Sequence, residues 1–165
     1  MRHGEMTLSV RRAALRTAAL LLLAIAFCGC RTGPPLPPAD LSAPGWRLQQ
    51  GQAVWKPTRS RPELAGELLF ATKTNGEFFV QFSKTPFTLA TAQVVNGQWQ
   101  IEFGNNQRRW AGSGEPPARF AWFQLPHALV GEPLKRNWRF TRATSDSWRL
   151  ENPRTGESLE GGFFP

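Results

Sequence analysis

The sequence predicts a mainly β fold: a curved antiparallel sheet, as an open half-barrel or a small barrel, with one short helix. Three observations carry this. Residues 46–165 alternate apolar and polar side chains with a period of two, and no long stretch shows a helical period. Asn-Gly pairs at 75–76 and 96–97 mark tight hairpin turns, because both residues tolerate positive φ. The segments follow one another at hairpin spacing, which favours a meander that curls on itself.

The elements follow in order. A short early strand surrounds Ala53 and Trp55 in GQAVWKP. Residues 64–73 (LAGELLFATK) form the next strand, ended by the 74–76 turn. Residues 77–84 (EFFVQFSK) return, with Phe78, Val80 and Phe82 on one face. Residues 87–95 follow Pro86, and the second Asn-Gly turn leads into 98–103. There Trp99, Ile101 and Phe103 face one way and Gln98, Gln100 and Glu102 the other, as in a sheet with one dry and one wet face. Residues 107–112 suggest another strand and 113–117 a loop. Residues 118–125 (ARFAWFQL) are the helix candidate, since Phe120, Trp122 and Phe123 can share an apolar stripe and Pro126 limits the helix. Strands at 137–141, 147–152 and 157–163 finish the chain, the last two joined by the turn 153–156.

Residues 1–29 read as an export signal. Arg2, Arg11, Arg12 and Arg16 precede an apolar run at 17–27, about half the roughly 20 residues that a membrane-spanning helix needs. The run ends in FCGC, and its end resembles the lipobox of bacterial lipoproteins. Phe27 stands three before Cys30 and Gly29 one before it, whereas bulky Phe27 directly precedes Cys28. The resemblance implies that Cys30 is lipidated and becomes the first mature residue, and that Cys28 leaves with the signal. The plainer alternative is an ordinary cleaved signal with two spare cysteines. Cys28 and Cys30 are the chain's two cysteines, so a disulfide framework or a Cys-based metal site is not expected. Arg31 is not the Asp that commonly retains lipoproteins at the inner membrane. By that resemblance the expected location is the periplasmic face of the outer membrane.

Residues 30–45 then hold the lipidated Cys and a tether with Pro34, Pro35, Pro37, Pro38 and Pro44. Such a segment favours extended polyproline conformations, reaching ~40 Å at full stretch. Residues 46–165 are the β domain. Losing residues 1–29 removes four arginines and Glu5, so the net charge falls from +8 to +5. The remaining charges are scattered, as on a solvated surface.

Chemistry-bearing patterns are sparse. His127 is the one histidine beyond the signal segment, and it lacks a second His or a Cys to complete a metal site. Glu157 and Glu160 are three apart, which on a strand puts them on opposite faces. Glu151 and Glu160 can meet across the last hairpin, with Arg149 or Arg154 as the expected surface partners. No catalytic residue, metal or cofactor is expected. RRWAG (108–112) and KRNWRF (135–140) mix basic and aromatic residues as single-strand binders do, but an exported protein rarely meets nucleic acid.

The lipobox at Cys30, the hairpins with dry faces and the late segment ENPRTGESLEGGF (151–163) together resemble the LolA/LolB superfamily of lipoprotein carriers and receptors, over about residues 46–164. The resemblance implies an unclosed antiparallel barrel whose mouth is plugged by helices and whose concave, hydrophobic face accepts acyl chains. This chain is shorter and shows one helix where family members have several. No family residue maps onto it. The alternation alone nominates an apolar lining: Phe78, Val80, Phe82, Trp99, Ile101, Phe103, Trp122, Trp138 and Phe140. In a filled barrel the same residues are the core. The expected partners are the membrane through the lipid anchor and a lipid or acyl-chain ligand. In the alternative reading, an envelope protein complex is scaffolded without a ligand.

Overall fold

The computed structural model describes residues 35–104, 108–144 and 147–165. The expected signal, Cys30 and the first tether residues lie outside the described residues.

Nine strands form one antiparallel sheet: β1 (Arg47–Lys56), β2 (Leu64–Thr72), β3 (Phe78–Lys84), β4 (Phe87–Val95), β5 (Gln98–Phe103), β6 (Arg108–Ser113), β7 (Arg139–Arg142), β8 (Ser147–Asn152) and β9 (Glu157–Phe163). The order across the sheet is β6-β5-β4-β3-β2-β1-β9-β8-β7. The two hairpin runs therefore meet where β1 pairs with β9, through Ala53↔Gly161 and Trp55↔Leu159. β6 and β7 are the outer strands, so the sheet is curved and unclosed. At the β4–β5 turn both Asn96 and Gly97 have positive φ, 51° and 69°, which matches the right-handed twist of the flanking strands.

One helix, α1 (Ala121–Leu129), lies between β6 and β7 in the chain and packs on the concave face. It starts three residues later than the sequence suggests and runs past Pro126 instead of stopping before it. The reason is burial on nearly all sides: Ala121, Trp122, Phe123, Gln124, Leu125, Pro126 and Ala128 are all buried. Fully burying Trp122, Phe123 and Leu125 gains on the order of 1.5–3 kcal/mol each. Together these exceed the roughly 3 kcal/mol cost of an interior proline. The flanking segments close over the helix. Lys135 donates its amide to the buried Gln124 Oε1 at 3.1 Å, and Trp138 Nε1 donates to the Ala118 carbonyl at 2.8 Å.

The convex face is not uniformly wet. Residues 35–39 cross it as a strap. The Leu36 amide donates to Gln100 Oε1 at 2.7 Å, and the Ala39 amide to Gln93 Oε1 at 3.0 Å. Gln93 Nε2 returns a bond to the Pro37 carbonyl at 3.0 Å. Ala71, Phe79, Gln93 and Gln100 stand opposite one another on β2 to β5 and form one transverse row, all of it buried. Gln100 thus points to the expected face, but that face is covered there. This stretch of the proline-rich segment is docked on the domain, not a free spacer.

Candidate functional site

The concave face is built from the inward residues of successive strands. Ala53 and Trp55 come from β1, Leu68 and Phe70 from β2, Phe78, Val80 and Phe82 from β3. Ala90 and Ala92 come from β4, Ile101 from β5, Trp148 and Leu150 from β8, and Leu159 from β9. The small Ala90 and Ala92 of β4 stand between larger side chains, with Phe82 and Val80 on β3 and Phe103 and Ile101 on β5 as their register partners. Into this surface α1 inserts Trp122 and Phe123. The Trp122 ring lies 5.3 Å from Trp55 and 5.4 Å from Phe82, centroid to centroid. Phe123 packs edge-on against Trp99 at 5.8 Å and Phe78 at 6.2 Å. Trp55 stacks on Phe103 at 5.5 Å, and Phe103 continues to Trp110 and Phe120.

All nine expected lining residues are thereby brought to one apolar cluster. Phe78, Val80, Phe82, Ile101, Trp122 and Trp138 are buried in it, and Trp99, Phe103 and Phe140 pack against it half-buried. Their surface is occupied by protein. Of four cavities on the described residues, with volumes of about 320 to 660 Å³, the smallest is lined by Phe78 and none by the other eight. The cavity of about 590 Å³ lies under the strap, on the opposite side of the sheet, and is lined by Gln81, Gln93, Gln100 and Glu102 as well as by Phe79.

Three indole N–H groups, of Trp99, Trp122 and Trp148, are buried in this cluster without a hydrogen-bond partner among the described residues. Each such orphan costs about 1–3 kcal/mol. Trp55 differs: its Nε1 donates to Glu157 Oε1 at 3.3 Å.

Glu157 is the site residue that spacing alone does not nominate. It opens β9 and faces inward, toward the start of α1. That helix has Phe120 at its N-cap position, no side-chain cap of its own and no acid in its first turn. The Ala121 amide is directed at the Glu157 carboxylate instead. Burial pushes this carboxyl up to about 7, against the opposing pull of the Trp55 and Ala121 hydrogen bonds. At the other end of α1, Arg142 Nη2 on β7 donates to the Leu129 carbonyl at 3.2 Å. Both ends of α1 thus take a partner from the sheet, Glu157 at the start and Arg142 at the end.

No family model matches the chain, and no curated protein matches it.

The remaining polar groups pair on the surface. Glu160 lies on the face opposite Glu157, where Arg149 holds it at 2.8 Å and Glu151 at 3.0 Å. The expected pairing of these carboxylates with Arg149 is thus present. His127 Nδ1 contacts Glu132, and Lys135 contacts Glu115. Among the described residues no three His, Cys, Asp or Glu side chains gather as metal ligands. No described helix is long and apolar enough to cross a membrane.

Proposed function

We propose that the chain is a lipid-anchored lipoprotein of the cell envelope, on the periplasmic face of the outer membrane. Its half-barrel binds a lipid or the acyl chains of another lipoprotein, as in lipoprotein localisation. One observation carries the reading: an unclosed sheet presents a continuous apolar concave face, and a single nine-residue helix covers it. That helix is the plug. Its displacement by an acyl chain would exchange one apolar occupant for another, so the aromatic face stays dry throughout. The orphaned indole N–H groups support the reading, since the closed arrangement leaves polar hydrogens that ester or amide oxygens of a ligand can satisfy. The lipobox and the LolA/LolB-like pattern supply the anchor and the class of ligand.

A second reading has its own support. The aromatic face is filled, as in a scaffold that holds an envelope complex and binds no ligand. Native mass spectrometry of the mature protein, extracted gently from its own membrane, separates the two. A co-purifying lipid or acylated peptide is expected. A stable protein partner with no lipid would overturn the acyl-chain reading in favour of the scaffold. The anchor is tested separately: Cys30→Ala should move the protein out of the membrane fraction, and retention there would refute lipidation.

A further inference from the structure

We propose that the outer strand β6 is the membrane-facing edge of the domain: the docked strap holds it against the leaflet that carries the anchor, where Arg108, Arg109 and Arg119 meet the phosphates of anionic lipid head groups. The proposal rests on the lipid anchor at Cys30.

The strap has a direction. Gln93 and Gln100 are register partners on β4 and β5. Followed toward the N-terminus, the chain passes from Ala39 at Gln93 to Leu36 at Gln100. One strand further lies β6, whose Ala111 pairs with Gln100. Pro35 and Arg109 line the same cavity of about 590 Å³. The chain therefore leaves the domain beside the β6 edge. Residues 30–34 separate this point from the anchor, and five residues span at most about 18 Å. A free tether would reach ~40 Å and favour no side of the domain. The docked strap favours one.

The edge carries the matching charge. Arg109 stands opposite Glu102 and Arg108 opposite Phe103, so their side chains leave β6 on its two faces. Arg119 lies over the ring of Trp110, on β6 itself, at 6.0 Å and over Phe120 at 4.7 Å. Arg108 and Arg119 are exposed and Arg109 is half-buried. Among the described residues none of the three is ion-paired, whereas Lys56, Lys73, Lys135 and Arg149 each hold a glutamate. Nearby, Glu115 is taken by Lys135, and Glu102 accepts a bond from Gln100. A guanidinium offers phosphate oxygens a fork of N–H donors. Each arginine near an anionic leaflet shifts the balance about fivefold toward contact, and three shift it about a hundredfold.

The test is arginine footprinting of residues 30–165 on vesicles. The chain is coupled through Cys30, the one thiol of that segment, to a maleimide-bearing phospholipid. Modification by phenylglyoxal is read residue by residue in the mass spectrometer. On phosphatidylglycerol vesicles Arg108, Arg109 and Arg119 should react at least about tenfold more slowly than on phosphatidylcholine vesicles. Arg136, Arg139 and Arg154, exposed around β7, β8 and β9, should react alike on both. In 1 M salt, where charges are screened within about 3 Å, the difference should vanish. Equal slowing of both sets, or slowing of neither, would overturn the proposal. A twelve-residue Gly-Ser insertion after Thr32 lengthens the link without touching the domain. It should cut the protection about fivefold, and protection that ignores the insertion would overturn the proposal too.

Coupling supplies the anchor chemically, so the footprint reads the edge, while fractionation of Cys30→Ala reads natural lipidation. Protected β6 arginines, with Cys30→Ala still in the membrane fraction, would sustain the edge and defeat the lipid anchor. Unprotected ones, with Cys30→Ala released, would do the reverse.

Discussion

Trp122 touches both Trp55 and Phe82 and is 1% exposed, so it is where a single side chain joins plug to sheet. Trp122→Ala should lower the unfolding free energy by about 3–5 kcal/mol, read from urea denaturation. Gly112 tests packing from the other direction. A Cβ there would stand 2.7 Å from Cζ2 of Trp99, a ring held by Phe123, so Gly112→Ala should destabilise by about 1–3 kcal/mol. Glu157 makes stability depend on pH. Its carboxyl is raised, so its contribution is full below 4.5 and is lost as pH climbs through about 7. The loss amounts to about 3 kcal/mol at most, and should vanish in Glu157→Gln urea curves. Glu77 has the opposite sign. Its bond from Lys73 and the Asn96 amide lower its carboxyl, so its contribution exists above 4.5 and is lost in stronger acid. The two act in different pH ranges and can be separated by measuring from pH 3 to pH 9.

At the scale of elements, the strap and the plug share a feature: side chains of the sheet hold both. The strap depends on Gln93 and Gln100, and α1 on Glu157 and Arg142. Gln93→Ala removes the acceptor of the Ala39 amide and the donor to Pro37. Cleavage within residues 35–41 by a broad-specificity protease should then accelerate by about tenfold, while the sheet stays folded. These attachments explain what the sequence did and did not disclose. β4, β5, β8 and β9 were legible to the residue, because strict alternation and Asn-Gly turns are local signals. β1 is longer than the short strand expected around Ala53 and Trp55, because Leu48 and its neighbours lie on exposed strand with no alternation to read. The run of α1 through Pro126 was not legible, since packing on the sheet and under residues 130–138 overrides a local rule. Gln100 reads in the sequence as a residue of the wet face, and nothing in the sequence singles out Gln93. Only contact with a segment more than fifty residues away makes them buried acceptors.

For the molecule as a whole, the dry face was legible and its occupancy was not. Alternation names which strand side chains share a surface. All nine lining candidates join one apolar cluster, but Trp122 enters it from the helix that fills the face and Trp138 from the segment after that helix. It is silent on whether a helix of the same chain fills that surface. Glu157 escaped for a related reason: its environment is assembled from β1, β9 and the helix start, which are brought together only by the pairing of the two ends of the sheet. The strap has a mechanical consequence for the same sheet. It runs across the strands, like a belt around a barrel stave by stave, and is fastened at two buckles in chain order, Leu36 at Gln100 and then Ala39 at Gln93. A pull on the front of the chain therefore loads the β5 buckle first and the β4 buckle only after it gives way. Slack in the belt appears in two discrete steps, and tension from the N-terminal side is spent on the convex surface before any of it can bend the strands that hold the plug.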